Sequence, residues 1–438
     1  MGMMGLFKAK GEAQAVRRSG VYAALDIGAA KSTCFIAKTE PTLAGPRPRV
    51  IGVGHGPTKG VRLGSVTDMD EAAASVLAAV KAAEGRAGQA ISEITLSVAS
   101  AGVSSLRIAV DMELGGTEIT ERDLRRLTAE ALARSHQAGR VNLHALPLAW
   151  RVDGHRGVKD PRGMFAERLG LDLHIVSAPA DPLQNLIASI ERCQLTVNAV
   201  NVAPYVSGLA ALSSDEIELG ALVVDMGAHT TSFAVYAEGA LQHVDVLPIG
   251  GAYVTNDIAR GLSTSIGAAE RIKVLHGCAL DSPDDDRIMI EAPPVAGHGE
   301  MGMVQHPRAM LNSIIRPRLE EIFEMIRDRL KAIDGGDASG RQLVLTGGAA
   351  QLPGTGELAG RVLGKRARIG RPSALAGLGD AVAGPAFSAC AGVIHCAANG
   401  PVEVISGPPC FDLRPSARRV ESVDRSPAAI WRWFAESF

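Results

Sequence analysis

Apolar positions in this chain recur with two periods. Short β-branched runs at 21–25, 32–37, 49–53, 94–98, 173–176, 222–224, 232–236 and 343–345 predict strands. Between them, residues 69–83, 182–193, 268–276 and 309–332 repeat their apolar positions at helical spacing. In the last of these, Leu311, Ile314, Ile315, Leu319, Ile322, Phe323, Ile326 and Leu330 form one stripe. Pro317 predicts a kink or break inside it. Strands alternating with helices point to an α/β fold.

The rhythm changes in four places. Residues 94–176 read strand, strand, helix, strand, strand, with Thr120 and Asp123 spaced as a capping box, which suggests a small inserted α+β unit. Residues 281–303 are acidic and rich in loop formers, and a solvated loop explains their aspartates better than a metal site. Residues 407–425 are rich in Pro, Ser and charge and read as a flexible linker, and residues 1–19 as a disordered leader.

The last stretch, 426–438, concentrates aromatic residues in a chain that has few. On a helical wheel Ile430, Trp431, Trp433, Phe434 and Phe438 share an arc of roughly 160°, with Arg432 and Glu436 opposite. Ser426 suits an N-cap and Pro427 the first helical position. Five arginines (414, 418, 419, 425 and 432) stand nearby against three carboxylates (Glu421, Asp424 and Glu436). An amphipathic helix with Trp at headgroup depth and surplus positive charge fits an anionic lipid surface better than the protein's own core.

Composition narrows the remaining classes. The formal net charge of −2 over 438 residues gives no basic field for nucleic acid. The six cysteines form no CxxC pair, which argues against zinc and for a reducing compartment. No uninterrupted apolar run is long enough to span a bilayer. Arg17 and Arg18 precede an apolar run as in an export signal, but Asp26 and Lys31 interrupt it and no cleavage site follows, so it reads as a core strand.

An internal repeat carries the chemistry. "ALDIGAAKSTCFIA" from Ala24 and "VVDMGAHTTSFAVY" from Val223 align without gaps, Asp26 on Asp225. Each reads as a hairpin with Asp ending its first strand and Gly in the turn. Gly28 and Gly227 let backbone N–H groups approach a phosphate. Ala29 and Ala228 continue the two loops. The hydroxyls of Ser32, Thr33, Thr230 and Thr231 can donate to phosphate oxygens, and Lys31 can neutralise charge between them. Asp26 and Asp225, facing each other, can hold Mg²⁺ through waters. "GAAKST" is not a P-loop, because Ala30 stands where the second glycine belongs and a strand follows. "LVLTGGAAQLPG" at 343–354 adds Gly347 and Gly348, where a flat base or ribose can lie on backbone. Glu270 and Lys273, three apart on one helix face, can clasp the nucleoside from the other side.

Two Asp–Gly hairpins and a later strand–Gly–Gly loop resemble the actin/Hsp70/hexokinase superfamily, and within it the FtsA family of actin-like cell-division proteins. The segments "NLIASIERCQL", "LPIGGAYVTNDIARGL", "AAERIKVLHGCA" and "IIRPRLEEIF" carry the resemblance beside the hairpins, over about residues 21–400. The resemblance implies an actin-like ATPase fold: two lobes around a nucleotide cleft, an inserted α+β subdomain and a C-terminal amphipathic helix. It divides the chain into a first lobe (20–91, 173–197 and 371–406), the insert (92–172), a second lobe (198–250 and 318–370), a smaller subdomain on it (251–317), the linker (407–425) and the helix (426–438).

The implied activity is ATP binding with Mg²⁺ and at most slow hydrolysis. The implied role is polymerisation on the cytoplasmic face of the inner membrane at the septum. There such a protein is peripheral, tethers FtsZ through the C-terminal peptide of FtsZ and recruits later divisome membrane proteins. Arg308, with Arg316 and Arg318 near it, is the candidate FtsZ contact. The second loop departs from the family's Asp-x-Gly-Gly-Gly-Thr pattern at Ala228 and His229, and His229 reads as a solvent-facing turn residue, with a phosphate contact as the alternative. Gln184 and Asn185 are the candidates for orienting water. A small-molecule kinase or a pilus-assembly type scaffold on the same fold are the alternatives, and neither needs the terminal helix.

Overall fold

Two five-stranded sheets built on one plan frame the molecule. The computed structural model describes residues 20–41, 47–158, 160–295, 303–333, 340, 342–373 and 375–399. The leader 1–19, the linker 407–425 and the tail helix 426–438, with its five apolar residues, lie outside these. The first sheet runs Thr196–Val202, Glu93–Val98, Val21–Ile27, Lys31–Glu40, Arg47–Pro57, and the second runs Arg366–Ile369, Gln342–Thr346, Ala221–Met226, Thr231–Ala237, Ala240–Leu247. In each, the central strand has an antiparallel hairpin partner on one side and a parallel neighbour on the other. The registers match as well: Asp26 stands opposite Thr33 and Asp225 opposite Ser232.

The period-two alternation of the second sheet sorts its side chains into two cores. Val223, Ala234, Tyr236 and Val344 face inward and share one core with Ala24, Phe35 and Ile36 of the first sheet. Leu222, Val224, Phe233, Leu343 and Leu345 face outward onto the helix Arg308–Lys331. Two helices, Ala203–Ala211 and Ser388–Asn399, pack against each other inside the shared core. Gly392 permits this approach, because any β-carbon there would overlap the Val206 carbonyl.

The insert is a four-stranded antiparallel sheet ordered Ser104–Glu118, Phe165–Pro179, Arg140–Val152, His155–Val158. The helix Glu121–Arg134 covers it with Leu124, Leu127 and Ala131 and begins at the expected Thr120/Asp123 capping box. Three side chains fasten the insert to the edge strand of the second sheet. His174 donates from Nδ1 to the Leu241 carbonyl (2.9 Å). Ser105 Oγ donates to the Val244 carbonyl (2.9 Å) and accepts from its N–H (2.8 Å), and Arg107 donates to the Gln242 carbonyl. Burial pushes His174 down to about 3, so it is neutral in this seam. His144 accepts from the Val202 N–H (3.0 Å) and fastens the insert to the first sheet.

Three expectations change. Glu93–Val98 belongs to the first sheet, between Val21–Ile27 and Thr196–Val202, and the insert's long strand continues to Pro179, so the insert lies later than 92–172. A short alternating strand does not announce which sheet it joins. Arg308–Lys331 runs as one helix through Pro317, because the missing N–H costs one bond while seven buried apolar residues of the stripe hold the rest. Residues 281–303 are not simply a solvated loop. Met289–Ala292 pairs with Val304–Pro307, and Asp285 is buried.

Candidate functional site

The tips of the two repeated hairpins meet across a cleft of about 820 Å³. Each turn closes with the same bond, Gly28 N–H to the Lys31 carbonyl (3.0 Å) and Gly227 N–H to the Thr230 carbonyl (2.9 Å). Asp26, Gly28, Ala29 and Lys31 line the cleft from the first lobe, and Asp225, Gly227, Ala228 and His229 from the second. Gly347, Gly348, Glu270 and Lys273 line it too, as the sequence predicts. Gly347 has φ +86°, and a β-carbon would lie 2.5 Å from the Met226 carbonyl and overlap the Asp225 carboxylate. No other residue type fits there.

The floor is electrostatically unsatisfied. Burial, then the charge of Asp225, push Asp26 up to about 6. Burial raises Asp225 as well, although Ser207 Oγ donates to it at 2.6 Å. Two half-buried carboxylates whose ionisation is opposed by burial and each other fit a hydrated divalent cation, which would relieve both. Lys31, shifted down by burial, donates to the Ala386 carbonyl (2.9 Å) and stands 3.4 Å from the centre of the Phe387 ring. Sequence reasoning missed Ala386 and Phe387; a lone Phe in a stretch of small residues was the only signal.

Lys273 Nζ reaches Glu270 (2.7 Å) and Thr255 Oγ1 (2.8 Å), so the clasp forms from one helix, Ile266–His276, fastened to its neighbour Gly251–Gly261. Ile266 and Val274, exposed apolar residues of the same helix, line the cleft beside it.

The hydroxyls behave differently from expectation. Ser32, Thr33 and Thr231 are fully buried, Ser32 pairs with Thr58 Oγ1 (2.7 Å), and neither these nor Thr230 line the cleft. Strand pairing resumes at Lys31 and at Thr231, so Ser32, Thr33 and Thr231 are packed on the faces of their sheets. Gln184 and Asn185 are exposed on the helix Ala180–Glu191 and do not line the cleft either, which removes them as water-orienting candidates. His229 is half-buried and lines the cleft; it is not a solvent-facing turn residue.

Arg308 begins the long helix and clamps Asp285 through Nε (2.7 Å) and a second nitrogen. Asn312 Nδ2 (2.8 Å) and the Ser282 N–H (2.9 Å) complete the shell of Asp285. Replacing Arg308 with alanine is expected to destabilise the pairing of Met289–Ala292 with Val304–Pro307 by about 2–3 kcal/mol, since it strands a buried carboxylate. Hydrogen exchange read across residues 282–292 should accelerate; unchanged exchange there would mean the pair contributes nothing.

Comparison with known proteins places the arrangement. The profile of the family described as "Cell division protein FtsA" matches residues 222–392, and that of "SHS2 domain inserted in FTSA" matches residues 101–177. The chain is 39% identical over 440 residues to the cell division protein FtsA of Rhizobium meliloti (strain 1021), covering 96% of each. Among solved structures it is similar to the PilM–PilN type IV pilus biogenesis complex (TM-score 0.61, 18% identity, 87% of this chain and 99% of that one). It is also similar to MreB5 of Spiroplasma citri bound to ADP (TM-score 0.51, 12% identity, 86% and 95%). At such identities these two speak for the actin-like fold alone.

Proposed function

Because the chain belongs to the FtsA family of cell division proteins, we propose that it binds Mg²⁺-ATP in the cleft, polymerises, and tethers FtsZ filaments to the cytoplasmic face of the inner membrane at the septum. The observation that carries the reading is the pair of matched Asp–Gly hairpins facing each other across the cleft. MreB5 of Spiroplasma citri, similar in fold, is bound to ADP, which supports the choice of nucleotide.

Each residue then has a task. Asp26 and Asp225 hold the cation through waters, and the cation screens the phosphates from both carboxylates. The loops Gly28–Ala29 and Gly227–Ala228 present backbone to the phosphates. Lys31 leaves the Phe387 ring for them, which exchanges a cation–π contact for ion pairing. Gly347 and Gly348 face the adenosine from one side, and Glu270 and Lys273 from the other. Hydrolysis is at most slow, and Gln184 and Asn185, outside the cleft, take no part in it. Arg308 contributes to the FtsZ-peptide contact with the part of its guanidinium that Asp285 leaves exposed.

Outside the described residues, the helix 426–438 supplies the membrane contact through Ile430, Trp431, Trp433, Phe434 and Phe438. Five partly immersed side chains yield several kcal/mol at roughly 1.5–3 kcal/mol each when fully buried, less the cost of ordering the helix. Attachment is therefore marginal for one subunit and firm for a polymer. Later divisome membrane proteins join the assembled polymer.

Sedimentation with anionic liposomes tests this. The full chain with Mg²⁺-ATP should pellet with lipid and carry an FtsZ C-terminal peptide down with it. A chain ending at residue 425 should stay soluble and keep its ATP affinity. Undiminished pelleting of the truncated chain, or no ATP binding by either, would refute the proposal.

A further inference from the structure

The two phosphate loops are alike in backbone and differ in charge-bearing side chains: Lys31 aligns with Thr230, and Ala30 with His229. Where the first hairpin has Ala30, the second has His229, one residue before the closing carbonyl of Thr230. His229 lines the cleft. Its Nδ1 is buried without a hydrogen-bond partner among the described residues. Its Nε2 keeps some exposure and has no hydrogen-bond partner among the described residues.

We infer that His229 reads the terminal phosphate of the nucleotide, donating a hydrogen bond from Nε2 that a triphosphate receives and a diphosphate does not. The inference rests on the nucleotide reading of the cleft. A neutral imidazole carries one N–H and one bare nitrogen. A buried N–H without an acceptor is rarer and costlier than a buried acceptor without a donor, so the proton belongs on Nε2 and faces the cavity. Burial, and then the charge of Arg62, hold the imidazole below its usual range, which keeps the ring a neutral donor at pH 7. Arg62 belongs to the first lobe, so His229 stands on the second lobe facing the first. With the nucleoside held by Glu270, Lys273 and Gly348, the last phosphate lies between the two loop tips, where this donor waits. No group among the described residues satisfies either ring nitrogen, which leaves Nε2 open to a ligand.

Binding of AMPPNP and of ADP, each with Mg²⁺, to the full chain and to His229→Ala, His229→Gln and His229→Leu tests the assignment by titration calorimetry. The native chain should favour AMPPNP. Alanine and leucine should weaken AMPPNP about tenfold, the worth of one hydrogen bond to a charged oxygen, and leave ADP within about twofold. Glutamine, a neutral N–H donor of similar reach, should restore most of the preference. Leucine, closer to histidine in volume, carries the comparison with glutamine if alanine does not fold. Equal losses for both ligands, no loss, or no rescue by glutamine overturns the assignment while the cleft remains a nucleotide site. A native chain that binds neither ligand overturns both readings.

Discussion

The variant Asp26→Asn is expected to bind Mg²⁺-ATP on the order of 10- to 100-fold more weakly, as when a group behind a metal's waters is lost, and yet to melt at a higher temperature without ligand. The two effects share one cause. In the folded chain the Asp26 carboxyl is pushed from 3.8 up to about 6 by burial and by Asp225. A carboxylate with a raised folded pKa binds more protons when folded than when unfolded, so its ionisation costs stability as pH rises from about 4 to 6 and the full cost persists above. Asparagine is spared that cost, which is about 1–3 kcal/mol at neutral pH, at the lower end because the group keeps some solvent contact. Thermal unfolding without nucleotide should show the variant a few degrees more stable at pH 7.5 and level with the native chain near pH 4. Identical melting at pH 7.5 would mean that the carboxylate carries no such penalty. The charge that strains the empty cleft is the charge a bound cation uses.

The second large effect is structural. Gly392→Ala should lower stability by about 3–5 kcal/mol and the melting temperature by roughly 5 °C. The new methyl group would overlap the Val206 carbonyl, backbone meeting backbone between two buried helices that cannot both keep their places. Both sheets rest on that helix pair, so the damage should reach the cleft, and nucleotide affinity should fall with stability. Differential scanning calorimetry decides it; a shift under about 2 °C would mean that the helices can separate at little cost.

Much of the frame was legible because the chain repeats itself. One Asp–Gly hairpin is a turn, but two in gap-free alignment predict matched registers, and Asp26 and Asp225 indeed end equivalent strands. Gly347, Gly348, Glu270 and Lys273 were legible through spacing and backbone demand. What was hidden depends on contacts distant in sequence. Phe387 receives Lys31 from 356 positions away, and no local pattern links them. Ser32 and Thr231 look like phosphate ligands by type, and only the register shows them packed on the faces of their sheets. Asp285 sits among other acidic residues, and its burial follows from Arg308 and Asn312 on a later helix. Glu93–Val98 alternates like any strand, and topology assigns it to the lobe rather than the insert.

The seam between the insert and the second sheet has a consequence for association. Ala240–Leu247 is the outermost strand of that sheet, and an outermost strand presents unpaired amides and carbonyls as a template for any passing β-segment. Ser105, Arg107 and His174 occupy the backbone groups of Leu241, Gln242 and Val244 on that side. Three polar side chains, one a histidine kept neutral by burial, thus cap the ladder without extending it. For the polymer proposed above, this closes one edge to unintended strand pairing.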